Sequence, residues 1–352
     1  RGIEQAVLTL NATDGDASAE TPPEPGELRP IDVVDPATSL LDRLLSRGTL
    51  PRYAFPTDVA TFHVFKRGAR SSFHPEFEYL PSQGMVVALS QYAPGKQVWI
   101  DGRLYSSRAM YSQMWEDRQA AWDRRRVHAE CGRCGYAVLS AIDGELQPKA
   151  VKDCPACRGE QTLGPAKWWV RPPGFAHPID IEPTVTPEEA PETTYATRAK
   201  LTLDSSSVSD WQEANPRIRL VTNRTQLLVT NSGPARDGYI YCRRCGRTES
   251  SHDPQMSLNQ RHRKPFPDER DPHCEGGVST IVLGTEFISD VALFSFTLGD
   301  GVRFVPAHTL TSIAMRTLSE AVSQAATEVL QIEHGEVVAE YRAAVTDAGV
   351  LG

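Results

Sequence analysis

The chain has 352 residues, about the length of two domains, and its 40% hydrophobic and 23% charged residues are typical of a soluble globular protein. The net charge of −8, from 37 Lys and Arg against 45 Asp and Glu, excludes a global positive field that attracts nucleic acid, so any such contact must be a local patch. No segment approaches the ~20 apolar residues of a membrane span and the first residues lack a signal peptide, so we expect a cytoplasmic protein without membrane contact.

The N-terminal part of the chain combines an acidic linker with short predicted elements. Residues 12–30 are acidic and rich in proline and offer almost nothing to bury, which predicts a linker or an exposed loop. After Asp35-Pro36, four leucines repeat at the spacing of a helix that ends by Gly48. The predicted elements are that helix, with Leu40, Leu41, Leu44 and Leu45, a strand over Val59–Phe65, a short buried segment over Val86–Leu89, and a hairpin of Val98–Ile100 and Arg103–Tyr105 around Asp101-Gly102.

The middle of the chain predicts a helix, a cysteine-bearing ribbon and a connector. Ser107–Arg126 carries helix-forming residues and ends in three arginines, just before the first cysteine pair. We expect the ribbon to span Val127 to about Trp169 as short strands, and the stretch Pro172–Lys200, rich in Pro, Thr and Glu, to be a connector. The strands and β-rich runs predicted beyond it are Arg198–Leu203, Ile218–Thr222, Gln226–Thr230, Tyr239–Tyr241, Thr280–Leu283 and Val291–Thr297.

The clearest predicted helix runs from about Thr309 to Ile332. Its apolar side chains fall on one face, which predicts packing against a sheet rather than a cofactor site. These side chains are Leu310, Ala314, Leu318, Ala321, Ala325, Val329 and Ile332. Together the elements predict an α+β fold, in which a zinc ribbon is combined with a mixed sheet domain that has a zinc knuckle and a long packed C-terminal helix.

Six of the seven cysteines form Cys-x-x-Cys pairs, a spacing at which both sulfurs can face one ion. The pairs Cys131/Cys134 and Cys154/Cys157 have 19 residues between them, within the ~15–20 typical of a four-thiolate zinc ribbon. A disulfide framework predicts neither the tight pairs nor the odd number of cysteines. Because four sulfurs leave no open coordination position, we expect this zinc ion to be structural rather than catalytic.

The third pair, Cys242/Cys245, needs two further ligands, and Cys274 is the obvious third sulfur. The candidates for the fourth ligand are His252, His262 and His273. We favour His262, because it lies in the basic loop Arg261-His262-Arg263-Lys264, which could close back on the site. His252 comes soon after the pair and His273 is adjacent to Cys274, and both stay open as alternatives. The sequence therefore predicts a second zinc ion, held by three thiolates and one imidazole.

The chain lacks the motifs of several enzyme classes. It has no Gly-x-x-x-x-Gly-Lys-Ser/Thr loop, no acidic metal box and no Gly-x-Ser-x-Gly elbow, so we do not expect it to hydrolyse ATP by itself. His128 and Glu130, followed by Cys154 and Cys157, resemble the His-x-Glu and Pro-Cys-x-x-Cys signature of zinc deaminases. However, Asp153 replaces the proline and four sulfurs already close the site, so we expect a solvated Glu130 and no deaminase.

Two blocks of the sequence resemble bacterial superfamily 2 DEAD/DEAH-box helicases. Roughly the last 130 residues are similar to the MrfA-type zinc-binding domain that closes these helicases, in the mitomycin-repair family and in phage-defence systems such as DISARM. The motifs of this block are Asn231-x-Gly233, Tyr241-Cys242-x-x-Cys245-Gly246, Cys274-Glu-Gly276, Gly284-Thr-Glu-Phe287-Ile-Ser-Asp290-Val291 and Glu333-His-Gly-Glu336. The upstream block resembles the region just past the second motor domain, through Gly48-x-Leu50-Pro51-x-Tyr53-Ala-Phe55-Pro56, Ala88-Leu-Ser-x-Tyr92-Ala-Pro94-Gly95, Asp101-Gly102-x-x-Tyr105 and Arg171-Pro-Pro-Gly174-Phe175.

This resemblance implies a C-terminal accessory region of such a helicase. The ATP-driven motor would then lie upstream of Arg1, and the partners would be DNA and subunits of a repair or defence complex. The family commonly closes its zinc site with four cysteines, whereas the last block of this chain offers three. The predicted division is a post-motor region over 1–106, the ribbon over 107–170, the connector over 171–200 and the MrfA-type domain over 201–352.

The basic clusters beside the two zinc sites are the candidate contacts to nucleic acid. Lys and Arg side chains bind phosphates, and Trp115, Trp122 or Trp168 could stack on bases. The candidate residues are Arg124, Arg125, Arg126, Arg243, Arg244, Arg261, Arg263 and Lys264. The alternative is a protein-docking scaffold of a multi-subunit complex that does not touch DNA, which the net acidity and the lack of a continuous basic stripe favour.

Overall fold

The structure is a computed structural model. It describes residues 58–71, 75–186, 195–197, 199–202, 208–250, 258, 260–296, 305, 308–333 and 335–342. The predicted linker at 12–30, the predicted leucine-rich helix at 40–45 and the histidine at 252 lie outside the described residues. Among the helices that are described, none combines the length and the apolar composition needed to cross a membrane.

The described residues form short strands, two long strands and three helices. The helices are α1 (Met85–Gln91), α2 (Trp115–Asp123) and α3 (Thr309–Leu330). The strands are β1 (Val59–Phe65), β2 (Phe77–Tyr79), β3 (Ser82–Gly84), β4 (Gln97–Ile100), β5 (Arg103–Ser106), β6 (Ala109–Met110), β7 (Arg126–Glu130), β8 (Ala137–Ser140), β9 (Lys167–Val170), β10 (Phe175–His177), β11 (Lys200–Leu201), β12 (Gln212–Asn215), β13 (Ile218–Asn231), β14 (Tyr239–Cys242), β15 (Thr248–Ser250), β16 (His262–Arg263), β17 (His273–Cys274) and β18 (Val278–Phe296). This content confirms the predicted α+β class.

A five-stranded sheet holds the first part of the core. Strand β1 pairs parallel with β10 and antiparallel with β2 and β3, and β6 pairs antiparallel with β10. Phe62 and Phe175 are opposite each other in this sheet and are fully buried. The predicted strand over Val59–Phe65 is confirmed. The predicted buried segment Val86–Leu89 belongs to α1, and only its last two residues are buried, because successive residues of a helix point in different directions.

A nine-stranded sheet joins both cysteine-bearing regions. Its order is β11-β13-β18-β9-β7-β8, with β12 beside β13, and with β14 beside β18 and carrying β15. Strands β18 and β9 are parallel, whereas β7 is antiparallel to both β8 and β9. The predicted ribbon supplies β7, β8 and β9, and the region after residue 200 supplies β13, β14 and β18. The four-part division of the chain stays a prediction, with the constraint that these two parts share a sheet.

Strands β13 and β18 are longer than the sequence predicts. They pair antiparallel without a break along all of β13, from Ile218 to Asn231. The apolar runs in each strand are separated by polar residues, which predicts four short strands instead of two long ones. In the structure Arg224 and Asp290 of these polar stretches are cross-strand partners, with Nη1 of Arg224 3.4 Å from Oδ2 of Asp290. Cross-strand pairing thus keeps the polar stretches inside the sheet.

The hairpin of β4 and β5 has the predicted turn. The strands pair antiparallel, and Asp101 and Gly102 between them have φ angles of 48° and 73°. Two successive left-handed residues are the requirement of a type I′ turn, which Asp-Gly satisfies with little strain. The predicted hairpin is therefore confirmed, with β5 extending to Ser106.

Buried Asn231 explains why the Asn-x-Gly turn follows β13. Its Oδ1 accepts hydrogen bonds from the backbone N–H of Gly233 at 2.9 Å and from the hydroxyl of Tyr239 at 2.8 Å. Its Nδ2 donates to the carbonyl oxygen of Leu89, at the end of α1, at 2.7 Å. The Asn231 side chain therefore connects the turn to β14 and to α1.

Helix α2 is shorter than predicted. The predicted helix over Ser107–Arg126 is helical only over Trp115–Asp123, because β6 precedes it and β7 begins at Arg126. No residue of α2 is fully buried, so it is a surface helix. A Ser112 hydroxyl donates to Asp117 in its first turn at 3.0 Å, where a negative charge also favours the helix dipole.

Helix α3 confirms the predicted C-terminal helix but not its packing. Its apolar face is largely exposed, with exposed fractions of 69% for Leu310, 57% for Ile313 and 61% for Val329. Among the described residues of α3 only Ser323 is buried. The periodicity of the sequence decides which residues share a face, whereas the burial of that face depends on a partner that periodicity does not supply.

Candidate metal centres and adjoining cleft

Two of the Cys-x-x-Cys pairs form the same turn. The first cysteine of each pair ends or follows a strand, and its carbonyl oxygen accepts a hydrogen bond from a glycine four residues later. Gly135 donates to Cys131 at 2.9 Å, and Gly246 donates to Cys242 at 3.0 Å. The φ angles of these glycines, 74° and 81°, lie in the left-handed region that favours glycine. The turn directs both sulfurs of each pair to one side, as in a zinc knuckle.

The first cluster consists of Cys131, Cys134, Cys154 and Cys157, whose sulfur atoms all lie within 4.8 Å of one another. Cys131 Sγ is 3.8 Å from Cys157 Sγ, and Cys134 Sγ is 3.6 Å from Cys154 Sγ. Sulfurs bound to zinc at ~2.3 Å in a tetrahedron are about 3.8 Å apart, whereas bonded sulfurs of a disulfide are ~2.0 Å apart. The geometry and donor chemistry therefore fit a four-thiolate zinc ion.

The second cluster consists of Cys242, Cys245, Cys274 and His262, again with ligand atoms within 4.8 Å of one another. Cys242 Sγ is 3.7 Å from Cys274 Sγ, and Cys245 Sγ is 3.3 Å from Nε2 of His262. Nδ1 of His262 is 2.9 Å from the carbonyl oxygen of Gln260, to which it donates. That hydrogen bond leaves Nε2 with a lone pair for a metal ion. These residues fit one zinc ion with three sulfur ligands and one nitrogen ligand.

The small β16–β17 pair explains why the structure brings His262, rather than His273, to the second cluster. His262 is the direct cross-strand partner of Cys274, so their side chains leave the same face at short range. His273 precedes Cys274 in the strand and therefore points to the opposite face. It lies instead near Arg261, with Nδ1 3.5 Å from Nη2. The third alternative, His252, lies outside the described residues.

The surroundings of the second cluster favour negative charge on two of its three sulfurs, which a cation would balance. The hydrogen bond from the Cys245 thiol is the main cause that lowers the pKa of Cys242 to about 4 and the pKa of Cys274 to about 7. Donation to both neighbours raises the pKa of Cys245 itself. The three sulfurs are buried. Negative charge held on buried sulfurs is costly without a counterion, which a bound zinc ion would provide.

A buried ionic network adjoins the second cluster and has no signature in the sequence. Arg247 donates from Nε to Glu249 at 2.8 Å and from Nη1 to Asp180 at 2.8 Å. Arg108 donates to the other oxygen of Glu249 at 2.6 Å. Arg247 and Glu249 are both buried. Two arginines and two carboxylates balance each other here, and they tie the segment after the second knuckle to the five-stranded sheet through Arg108, beside β6.

His128 and Glu130 do not form the site that a deaminase requires. The first cluster contains four sulfurs and neither of these residues. His128 is buried in β7, and its Nε2 has no hydrogen-bond partner in the part of the chain that the structure describes. Glu130 forms an ion pair with Lys200. Glu130 is therefore held by a lysine instead of being freely solvated as expected. The arrangement does not support the deaminase alternative.

Some of the predicted phosphate contacts lie beside carboxylates in the structure, whereas the others are exposed or lie over tryptophan rings. Arg126 forms an ion pair with Glu286, and Lys264, which is 11% exposed, lies 2.9 Å from Asp268 and 2.8 Å from Asp271. Arg261 lies 4.0 Å from Glu275. Phosphate would have to compete with these carboxylates. The residues Arg124, Arg243, Arg244 and Arg263 are exposed, and Arg125 lies over the rings of Trp122 and Trp168 at 4.4 and 4.8 Å.

A cleft of about 620 Å³ adjoins the second cluster. It is lined by parts of α2, the knuckle after β14 and the glycines before β18, and Cys245 forms part of its wall. We call it the arginine cleft, because Arg118, Arg243 and Arg244 line it together with Trp115 and Trp122. The sequence pattern singles out four of these five side chains, whereas Arg118 lies alone in α2 and carries no such signal.

Comparison with known proteins finds a distant relative. No protein-family model matches the chain. No solved structure matches it either. The chain is 26% identical over 314 residues to Druantia protein DruE of Escherichia coli (strain UMEA 4076-1), and the alignment covers 84% of this chain but 17% of DruE. The chain thus spans less than a fifth of that relative, and its similarity to the MrfA-type zinc-binding domain stays a prediction from motifs.

Proposed function

We propose that this chain is a zinc-stabilised accessory region of an ATP-dependent DNA helicase, which engages single-stranded DNA next to the motor. The observation that carries the proposal is the pair of four-ligand clusters, each placed at the end of a strand of one nine-stranded sheet. Zinc ions in such closed sites stabilise a fold and do not catalyse a reaction. The chemistry of the helicase would reside in motor domains outside these 352 residues.

The comparison with DruE supports the placement within a longer protein. The similarity extends over 84% of the chain yet over 17% of DruE, as expected for one region of a large multidomain protein. The motif resemblance to helicases of mitomycin repair and of phage defence supports the motor as the neighbour. We propose phage defence rather than DNA repair as the process, in keeping with the similarity to a Druantia protein.

Exposed arginines support DNA engagement despite the net charge of −8. Arg124 and Arg263 are exposed, and Arg243 and Arg244 line the arginine cleft. Local positive charge can bind phosphates when the rest of the surface is acidic. The acidic surroundings would keep this contact weak and dependent on the motor, which suits an accessory region.

The test measures binding of a single-stranded oligonucleotide at several salt concentrations. We expect Arg124→Glu and Arg263→Glu each to flatten the slope of log affinity against log salt, by about 0.7 for each phosphate that the variant no longer binds. Arg217→Glu is the control, because Arg217 is an exposed arginine in the turn between β12 and β13. A protein that carries two zinc ions but binds no DNA at low salt would refute DNA engagement.

The exposed apolar face of α3 favours a second candidate function, docking of another protein. Leu310 and Val329 are 69% and 61% exposed, and apolar faces of this length are normally covered. In that case the covering partner would be a motor domain or another subunit of a defence complex. The test is a pull-down with this chain as bait, after the nucleic acid has been digested. A partner that is recovered by the wild-type chain and lost with Leu310→Glu would support docking. Equal recovery by both chains would exclude this face.

A further inference from the structure

The arginine cleft has the charge of an anion site. Three arginines contribute to its lining, and none of the described aspartates or glutamates does. Arg126, Lys264 and Arg247, by contrast, are all paired with carboxylates elsewhere in the described part of the chain. Glycines make up much of the remaining wall, at Gly246, Gly276 and Gly277, so backbone rather than side chains faces the space there. A positive, glycine-walled cleft can admit a phosphate close to the main chain.

Arg118 is held in place but has unused hydrogen-bond donors. Its guanidinium lies 4.8 Å from the ring centroid of Tyr111, 4.9 Å from that of Trp115 and 5.1 Å from that of Phe266. Its Nε and Nη1 atoms are buried and have no hydrogen-bond partner among the described residues. Buried donors without partners are costly, and such atoms beside a cleft point to a ligand that accepts hydrogen bonds.

Two tryptophans give the cleft flat apolar surfaces. Trp115, in the first turn of α2, is 48% exposed. Trp122, two turns further along the same helix, has the guanidinium of Arg243 at 5.5 Å and meets Tyr241 at 6.0 Å. An exposed tryptophan beside arginines is the arrangement on which bases of single strands stack. The volume of about 620 Å³ is in the range of pockets for ligands of nucleotide size.

We propose that the arginine cleft binds one nucleotide of single-stranded DNA, with its base against Trp115 and its phosphate near Arg118, Arg243 and Arg244. This proposal rests on the proposed function and names the place where DNA is engaged. Stacking requires an exposed base face, which a base pair within a duplex does not offer. An acidic peptide would satisfy the arginines but would leave the tryptophan surface without a matching group.

The experiment compares the affinity of the protein for a short oligothymidylate, measured by fluorescence anisotropy, among matched variants. We expect Trp115→Ala to weaken binding about tenfold. Arg243→Ala together with Arg244→Ala reduces the slope of log affinity against log salt by about 1.4 if each arginine contacts one phosphate. The controls are Trp99→Ala, which removes an exposed tryptophan of β4, and Arg217→Ala, which removes an exposed arginine in the turn between β12 and β13. We expect both variants to keep wild-type affinity.

A second set of measurements separates failure of the cleft from failure of the fold. Each variant should keep two zinc ions per chain. At position 118 the variant is Arg118→Lys, because lysine retains a positive charge, whereas Arg118→Ala would loosen the packing of Tyr111, Trp115 and Phe266. Wild-type protein that binds no oligonucleotide would refute the proposed function and this proposal with it. Binding that is equal in wild type and cleft variants would refute the cleft alone. Saturable binding of thymidine monophosphate without binding of the oligonucleotide would show a free-nucleotide site instead and would overturn the proposal.

Discussion

His262 is the residue on which the second metal centre depends. Its Nε2 is 3.3 Å from Cys245 Sγ, and its partner across the β16–β17 pair is Cys274. We expect His262→Ala to lower the zinc content of the purified protein from two ions to one, because three ligands hold zinc much less tightly than four. Elemental analysis measures this. His273→Ala is the control and should keep two ions, since His273 faces away, and a loss of zinc in that variant instead would contradict the assignment.

Glu249 is the residue that makes the buried ionic network neutral. It accepts hydrogen bonds from Arg108 and Arg247, and both Glu249 and Arg247 are buried. Glu249→Ala leaves two arginines, of which Arg247 is buried, with the single carboxylate of Asp180, so one positive charge is uncompensated and we expect the free energy of unfolding to fall by ~3–5 kcal/mol. Chemical denaturation measures the change. Glu275→Ala, at an exposed carboxylate 4.0 Å from Arg261, should change it by less than ~1 kcal/mol, and equal effects of the two variants would refute the network's role.

His128 gives the stability of the protein a dependence on pH. Burial, followed by the charges of Lys200 and Lys167, lowers the pKa of His128 to about 3. Because this folded-state pKa lies below the ~6.5 of an unfolded chain, the unfolded state binds more protons between these values. The stability contribution is therefore complete above about pH 6.5 and falls by up to ~1.4 kcal/mol per pH unit toward pH 3.

The corresponding measurement is the free energy of unfolding in urea at pH 7 and at pH 5.5. His128→Gln should reduce the difference between the two values, since the variant lacks the group that becomes protonated on unfolding. It should not abolish the difference, because burial also lowers the pKa of His63 and of His177. An unaltered difference in His128→Gln would show that the pKa of His128 is not depressed.

At the scale of elements, the sequence predicts those turns and strands whose geometry is set by residues adjacent in the chain. The β4–β5 hairpin follows from Asp101-Gly102, and the cysteine turns follow from Cys-x-x-Cys with a glycine, because both are local geometries. The length of β13 and β18 is not local. Their polar stretches remain extended because the partner strand, roughly 60 residues away, supplies the hydrogen bonds. The choice between His262 and His273 as the fourth ligand of the second cluster is not local either, since it depends on the β16–β17 register.

The arginine cleft is a further feature that the sequence alone does not predict, because its residues come from distant parts of the chain. Trp115 and Arg118 come from α2, Arg243 and Arg244 from the knuckle after β14, and the glycines from the segment before β18. More than a hundred residues separate the first group from the others. The sequence indicates the chemistry of each of these side chains, whereas only the tertiary packing brings them into one cleft.

Strand β18 passes so close to Trp169 that a side chain at Gly284 does not fit. A Cβ atom there would lie 2.1 Å from Nε1 of Trp169 and 2.7 Å from the carbonyl oxygen of Val229. We expect Gly284→Ala to lower the free energy of unfolding by about 1–3 kcal/mol, because the buried indole and the neighbouring strand must both shift. Gly84→Ala is the matched control, since its Cβ would meet no atom closer than 4.0 Å, and a similar loss in both variants would contradict this explanation.

At the scale of the whole molecule, the two clusters lie in cores of similar size that draw on different parts of the chain. The first cluster lies in a core of ten buried side chains, three of them cysteines, and all ten come from the ribbon itself, between residues 127 and 166. The second cluster lies in a core of eight, also with three cysteines, but that core takes in Phe65 and Ala176 of the five-stranded sheet, which belongs to the largest core as well. Metal binding therefore accounts for a larger share of the order around the first cluster than around the second.

Removal of zinc should consequently unfold the molecule in two steps. With a chelator, we expect backbone amides of the first cluster and of β8 to lose protection from hydrogen exchange first, while β13 and β18 stay protected by their long ladder. Readdition of zinc should restore the protection, because the binding free energy is part of the folding free energy. Mass spectrometry of exchanged peptides separates the regions. Simultaneous loss at both clusters and in β13 would mean that the shared sheet folds as one unit, and that neither zinc ion stabilises its own region.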